Sequence, residues 1–186
     1  MEPVSYAYDA AGERVARWTR SGTADLEADL FVRDEGGSVL AEWRYLDNPS
    51  SLATFDLTRE YIPGGDRTLG QMDYLGGIDT LRYLAADHLG STRVLFDAGG
   101  ILEDYDFYPF GASDDSNPLD PDTTHLFTGH ERDTDQYSTE MDYMHARYYS
   151  PNLGRFFFCG CNRGHGRVVA VVESVQLCEQ QPDCTH

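Results

Sequence analysis

Residues 87–111 read DHLGSTRVLFDAGGILEDYDFYPFG, and the fold turns on whether this stretch is a reactive site or one tile of a repeating surface. Asp87, His88 and Ser91 invite a reading as orienter, base and nucleophile. That chemistry needs three groups at hydrogen-bonding distance in a pocket, which three residues of one tight turn rarely achieve. The other reading is local. Asp at the first position of a turn accepts hydrogen bonds from amides two residues on, and Gly at the fourth supplies the positive φ that swings the chain back. Asp87 and Gly90 fit this pattern, and Asp97 and Gly100 repeat it.

The same unit recurs upstream. YAYDAAGERVARW holds Asp9 and Gly12, and LFVRDEGGSVLAEWRY holds Asp34 and Gly37, each between runs rich in aromatic and branched residues. A repeat of strand, Asp-x-x-Gly, strand predicts antiparallel hairpins lying side by side. With a side-chain period of two, Val39, Ala41, Trp43 and Tyr45 are expected on one face, and Glu42 and Arg44 on the other. Likewise Ile101, Glu103, Tyr105 and Phe107 are expected to share a side. Twelve tyrosines, nine phenylalanines and two tryptophans suit such strands, and the prediction is that tyrosine and tryptophan are buried on the sheet. LEADLFVRD has some helical character, but the turn that follows favours a strand. Residues 46–54 and 61–71 carry loop punctuation, and 111–125 is expected to be an exposed, mobile excursion.

The 186 residues allow one domain and a tail, with 32 acids against 14 bases and a formal charge of −18. Every base is arginine. Such a field repels phosphates and anionic lipid heads, so neither a nucleic-acid partner nor membrane insertion is expected. No apolar run approaches the roughly 18 residues of a membrane span, and the N-terminus lacks the pattern of a secretory signal. All four cysteines (Cys159, Cys161, Cys178, Cys184) follow residue 158. Their Cys-x-Cys spacing, even with His165, is not that of a zinc finger. His125, His130, Glu131, Asp133 and Asp135 match neither a His-Glu-x-x-His pattern nor a calcium loop, and read as a polar loop. No metal or cofactor is expected. Arg93 should pair with an acid on the neighbouring hairpin. Arg147, set with His145 among Tyr143, Tyr148 and Tyr149, should stack on a ring, with Pro151 and Gly154 turning the chain.

Taken together, YDAAGERV, RDEGGSVLAEWRY, DHLGSTRVLFDAGGILEDYDFYPFG and FTGHERDTDQYSTEMDYMHARYYSPNLGRF resemble YD-repeat proteins of the Rhs (rearrangement hot spot) type over residues 4–156. The later segments resemble the repeat-associated core module. Three spellings in the family's order carry the likeness: DHLGSTR, YDFYPFG with Pro109 and Gly111, and ARYYSPNLGRF with Arg147, Tyr148, Tyr149, Gly154 and Arg155. The resemblance implies an all-β chain of hairpins in a curved antiparallel sheet, part of a cocoon-like shell in a secreted or cell-surface bacterial protein. It implies a structural, encapsulating role rather than an enzyme's, with the remaining repeats or a C-terminal toxin domain as partners. Cell-surface glycans, stacked on aromatic rows, are the alternative partner. On this reading residues 1–81 are YD-repeat hairpins, 82–156 the core module and 157–186 a divergent, irregular tail in which RVVAVVESVQL adds at most one strand. Family members that cut themselves do so with aspartates of an Asp-Pro motif after GRF. Here residues 156–166 read FFFCGCNRGHG, so no cleavage residues carry over. With about four repeats, the chain is expected to be a truncated fragment, too short to close a shell.

Overall fold

The computed structural model describes residues 4–21, 25–47, 52–65, 67–74, 77–114, 121–133, 141–145 and 147–159. The fold is all-β, with antiparallel sheets. The larger is a meander of nine strands in sequence order: β1 (Ser5–Tyr8), β2 (Arg14–Ser21), β3 (Asp25–Arg33), β4 (Val39–Asp47), β5 (Thr54–Pro63), β6 (Thr68–Asp73), β7 (Thr80–Ala86), β8 (Thr92–Asp97) and β9 (Gly100–Asp104). The smaller comprises β10 (Glu131–Asp133), β11 (Met141–Met144), β12 (Arg147–Ser150) and β13 (Arg155–Cys159). Among the described residues neither sheet closes on itself, and β1 and β9 are the edges of the larger. LEADLFVRD lies in β3.

Three Asp-x-x-Gly tips share one construction. The Asp34 amide donates to Ser38 O at 2.9 Å and the Gly37 amide to Asp34 O at 3.1 Å, while Asp34 Oδ1 accepts from the amides of Gly36 and Ser38. Gly37 has φ +87°. Asp9 with Gly12, and Asp87 with Gly90, repeat this pattern of bonds. It is a turn closed by a glycine bulge, which fits the right-handed twist of the strands. Asp97 differs. It pairs directly with Gly100, making a tighter hairpin in which Asp97 Oδ1 accepts from the amides of Gly99 and Gly100. The bulged construction also returns with tyrosine in place of aspartate, because Tyr108 and Ala112 close around Gly111 in the same way.

Bulges also decide which side chains face which way. Val32 pairs with Ala41 and Arg33 with Val39, leaving Leu40 unopposed. Val39 therefore joins Phe31 and Tyr61 in a buried cluster rather than lying with Trp43 and Tyr45 as strict alternation predicts. A bulge opposite Leu95 and Phe96 likewise leaves Ile101 72% exposed while Tyr105 is buried. The loops shift as well. β5 runs through Pro63 and β6 begins at Thr68, so the predicted loop at 61–71 shrinks to a short turn. The expected excursion at 111–125 is largely enclosed where it is described: Gly111, Thr123 and His125 are buried, and Ser113 is exposed.

The smaller sheet packs against one face of the larger. Val4 and Tyr6 of the β1 region meet Met141, Tyr143 and Tyr148 of β11 and β12. A second cluster joins Leu84, Leu95 and Tyr105 to Leu126. The opposite face carries aromatic pairs instead: Trp43 stacks on Phe55 with centroids 4.8 Å apart, and Tyr83 on Phe96 at 5.4 Å. These rings are not buried; Phe55 is 56% exposed. The expectation that tyrosine and tryptophan are buried on the sheet holds for Tyr6, Tyr61, Tyr105, Tyr143, Tyr148 and Tyr149, and fails for the exposed Tyr83 and the half-buried Trp18, Trp43 and Tyr45.

Candidate functional site

The seam between the two sheets is ionic. Along β10 the period of two aims Glu131 and Asp133 at the larger sheet and Arg132 away from it. Arg14, only 1% exposed, forks across two carboxylates: Nη2 donates to Glu131 at 2.9 Å, and Nη1 to both oxygens of Asp133 at 2.9 Å. Arg33 meets Glu131 at 2.7 Å, and Arg17 bridges Asp133 and Asp29 at 3.1 and 2.6 Å. The Arg14 guanidinium also lies over the rings of Tyr143 and Phe31, at 4.6 and 4.8 Å. Planar, weakly hydrated and fork-shaped, arginine suits this setting in a way lysine does not. Burial by itself would raise the Glu131 pKa, yet Arg14 and Arg33 hold it down to about 2. For Tyr6 burial and the Asp133 charge act together, and its phenol is pushed well above the usual range; it donates to Asp133 at 3.2 Å.

A second cluster pins residues 121–125 to β4–β7. Arg59 binds Asp73 at 2.6 Å and donates to Asp122 O at 2.8 Å, where the Gln71 amide also donates. Arg82 meets the Asp122 carboxylate at 2.8 Å. Glu42 accepts from Tyr61 at 2.7 Å and from Thr124 at 3.3 Å. A third cluster lies on the far side of β10. Arg132 forks onto Asp142 and donates to Gly111 O and Ser113 Oγ. The Tyr149 hydroxyl holds Phe110 O at 2.9 Å. The YPFG turn is thus bound to β10–β12. A Cβ at Gly111 would meet the Phe127 ring at 2.3 Å, so the turn has room only for glycine.

The sequence-predicted residues are spread over the hairpin tips, the seam and the last strands. The Asp87 carboxylate is occupied by its own turn, and His88 is exposed. Ser91 Oγ is buried and accepts from the Thr128 amide at 3.0 Å, while Thr92 Oγ1 donates to His125 O at 2.6 Å. DHLGST therefore docks the wall onto residues 125–128. Glu131 and Asp133, read from sequence as part of a polar loop, lie in a buried strand. Arg93 pairs with Asp106 just past β9. Arg147 stacks on Phe156 of the adjoining strand at 4.1 Å, while Arg14 lies over Tyr143 and Tyr148, with Arg33 also over Tyr143. Gly154 donates to Pro151 O, closing the expected turn, and Arg155 pairs with Ser150. Asp135, Cys161, Cys178, Cys184, His165 and the strand expected near 167–177 lie outside the described residues.

Sequence reading missed Arg14, Arg33, Arg59, Gln71 and Asp73, which sit inside ordinary strand runs. Only the all-arginine choice of base hinted at them. Chemically the seam is a clamp, in which opposed charges bind two sheets.

Solved structures share this fold. The crystal structure of TcdB2-TccC3 matches with a TM-score of 0.64 at 22% identity, covering 82% of this chain and 8% of that one. The chain has the fold seen in TcdB2-TccC3. The form of that protein without its hypervariable C-terminal region matches with a TM-score of 0.59 at 20% identity, covering 82% of this chain and 7% of that one. The Tc holotoxin pore of Photorhabdus luminescens matches with a TM-score of 0.60 at 19% identity, again covering 82% of this chain and 7% of that one. Among curated proteins, salivary gland surface protein 1 of Aedes aegypti is 30% identical over 161 residues, covering 83% of this chain and 4% of that protein. The chain thus spans a small fraction of each protein it is similar to. No family model matches it.

Proposed function

We propose that this chain is a wall segment of an Rhs/YD-repeat shell and that its role is structural and encapsulating rather than catalytic. Its partners on this reading are further hairpins of the same kind and a C-terminal toxin domain. The observation that carries the proposal is the clamped double layer: a nine-stranded meander with open edges, lined on one face by a segment that its buried arginines hold down. Open edges suit continuation by more hairpins. The fold shared with TcdB2-TccC3 supports the reading. So does the C-terminal region of that protein, named hypervariable, as a counterpart for the divergent residues after 156.

The test is protection of a cargo. A folded reporter placed after the chain within its parent protein should resist added protease, and Arg14→Met together with Arg59→Met should expose it. Cleavage of the reporter at the rate of the free domain rejects the shell role.

A second reading has one observation in its favour. The stacked pairs Trp43–Phe55 and Tyr83–Phe96 stand partly exposed on the outward face, where sugar rings could lie on them. A glycan array with the parent chain and its Phe55→Ala, Tyr83→Ala variant decides this reading, which requires binding that the variant loses.

A further inference from the structure

All four histidines among the described residues line one cavity of about 340 Å³: His88, His125, His130 and His145. The hairpin tips at Asp34–Ser38 and Ala86–Gly90 form part of its wall, and Glu131 and Tyr143 of the smaller sheet another. It therefore opens at the seam. His125 is 7% exposed, packs edge-on against Tyr61 at 4.3 Å, and its Nδ1 has no hydrogen-bond partner. Thr128 Oγ1 donates its only proton to Phe127 O at 2.7 Å, so His130 Nδ1, 2.9 Å away, must be the donor to that oxygen. His130 in turn faces the ring of His145 with centroids 5.8 Å apart, and His145 Nδ1 meets Glu13 at 3.2 Å. Glu13 follows the first tip, so the contact between His145 and Glu13 spans the seam.

We propose that this histidine cluster is a proton-operated latch: the two sheets are held together near neutral pH and part when the buried imidazoles of His125 and His130 take up protons in mild acid, against the hold that a protonated His145 has on Glu13. His125 faces Tyr61, Glu42 and Arg59 of the strands above it and Glu131 and Arg33 at its side. His130 faces His145 and Glu131, and Asp34 and Arg67 complete the charged lining. Burial lowers the pKa of His125 most, with Arg59 and Arg33 adding to the effect against Glu131 and Glu42. Burial likewise lowers that of His130, assisted by His145.

A lowered folded pKa fixes the sign. Between the ordinary value of 6.5 and the folded value, the open or unfolded chain binds protons that the closed one refuses, so closure weakens as pH falls. Glu131 titrates well below this window. Burial pushes Asp142 up to about 6 against the pull of Arg132. It therefore takes up its proton in the closed state first and acts in the opposite direction.

The test is hydrogen exchange on the whole chain at pH 7.5 and 5.0, corrected for the intrinsic rate. It reads the amides of Arg14, Thr92 and Thr128, each of which bonds across the seam. In the parent these should exchange about tenfold faster for each unit by which closure depresses a histidine pKa. Amides within β4 should be unchanged. His125→Phe with His130→Asn, which keeps a ring against Tyr61 and a donor to Thr128, should abolish the acceleration; the single His130→Asn variant should reduce it if the pair does not fold. Equal protection at both pH values in the parent, or undiminished acceleration in a folded variant, overturns the latch.

Discussion

The two faces of the nine-stranded sheet invert the usual division of labour. The outward face carries aromatic rings stacked in pairs and partly wet, as with Trp43 on Phe55. The covered face carries charged and polar groups, with Arg14, Asp73 and Gln71 almost wholly enclosed beside only small apolar clusters. Apolar packing tolerates sliding, because one methyl group resembles another. A forked guanidinium does not, since it satisfies its carboxylates in one register only. The covered face thus gains specificity of docking, at the risk that any lost partner strands a buried charge.

The largest effect should come from breaking that face. Arg14→Met leaves Glu131 and Asp133 without their main counter-charge and should destabilise the chain by about 3–5 kcal/mol, read from the denaturant midpoint. A shift no larger than that of a surface substitution would mean that water enters the seam. Arg14→Lys should recover little of the loss, because lysine cannot fork across the two carboxylates.

Next comes the turn that the seam grips. Gly111→Val combines a positive φ of +88° with a side chain driven into the Phe127 ring. It should cost about 2–4 kcal/mol from strain and overpacking together. Comparing Gly37 with Gly100 sharpens the point. Both need positive φ, but a Cβ at Gly37 meets His145 at 2.9 Å whereas one at Gly100 meets nothing within 4 Å. Gly100→Val should therefore cost only the backbone term, about 1–2 kcal/mol, and Gly37→Val distinctly more. Equal thermal shifts would show that the tips are independent of the seam.

Smaller again is Asp34→Ala, which removes an acceptor for two amides that water can reach, and should cost about 1 kcal/mol. Similar in size is a single term on the outward face. The stacking of Phe96 on Tyr83, isolated by a double-mutant cycle of Phe96→Ala and Tyr83→Ala, should be about 0.5–1.5 kcal/mol, apart from the apolar area uncovered. A coupling comparable with the cost of Arg14→Met would place the true core on the wrong side of the sheet.

The hairpin tips were legible because their physics is local. Asp9, Asp34 and Asp87 bond to amides of their own turns, and Gly12, Gly37 and Gly90 meet a demand that the backbone makes within five residues. All-β class and antiparallel order followed from that repetition. Bulges were not legible, since nothing in VLAEWRY announces that Leu40 will be left unopposed and turn Val39 inward. Nor was the seam. Arg14 and Asp133 are 119 positions apart, and only the folding of β10 beneath β2 gives either one a partner. Local turn chemistry is written residue by residue. The pairing of a buried charge depends on which distant strand arrives above it, and the tertiary structure alone decided that.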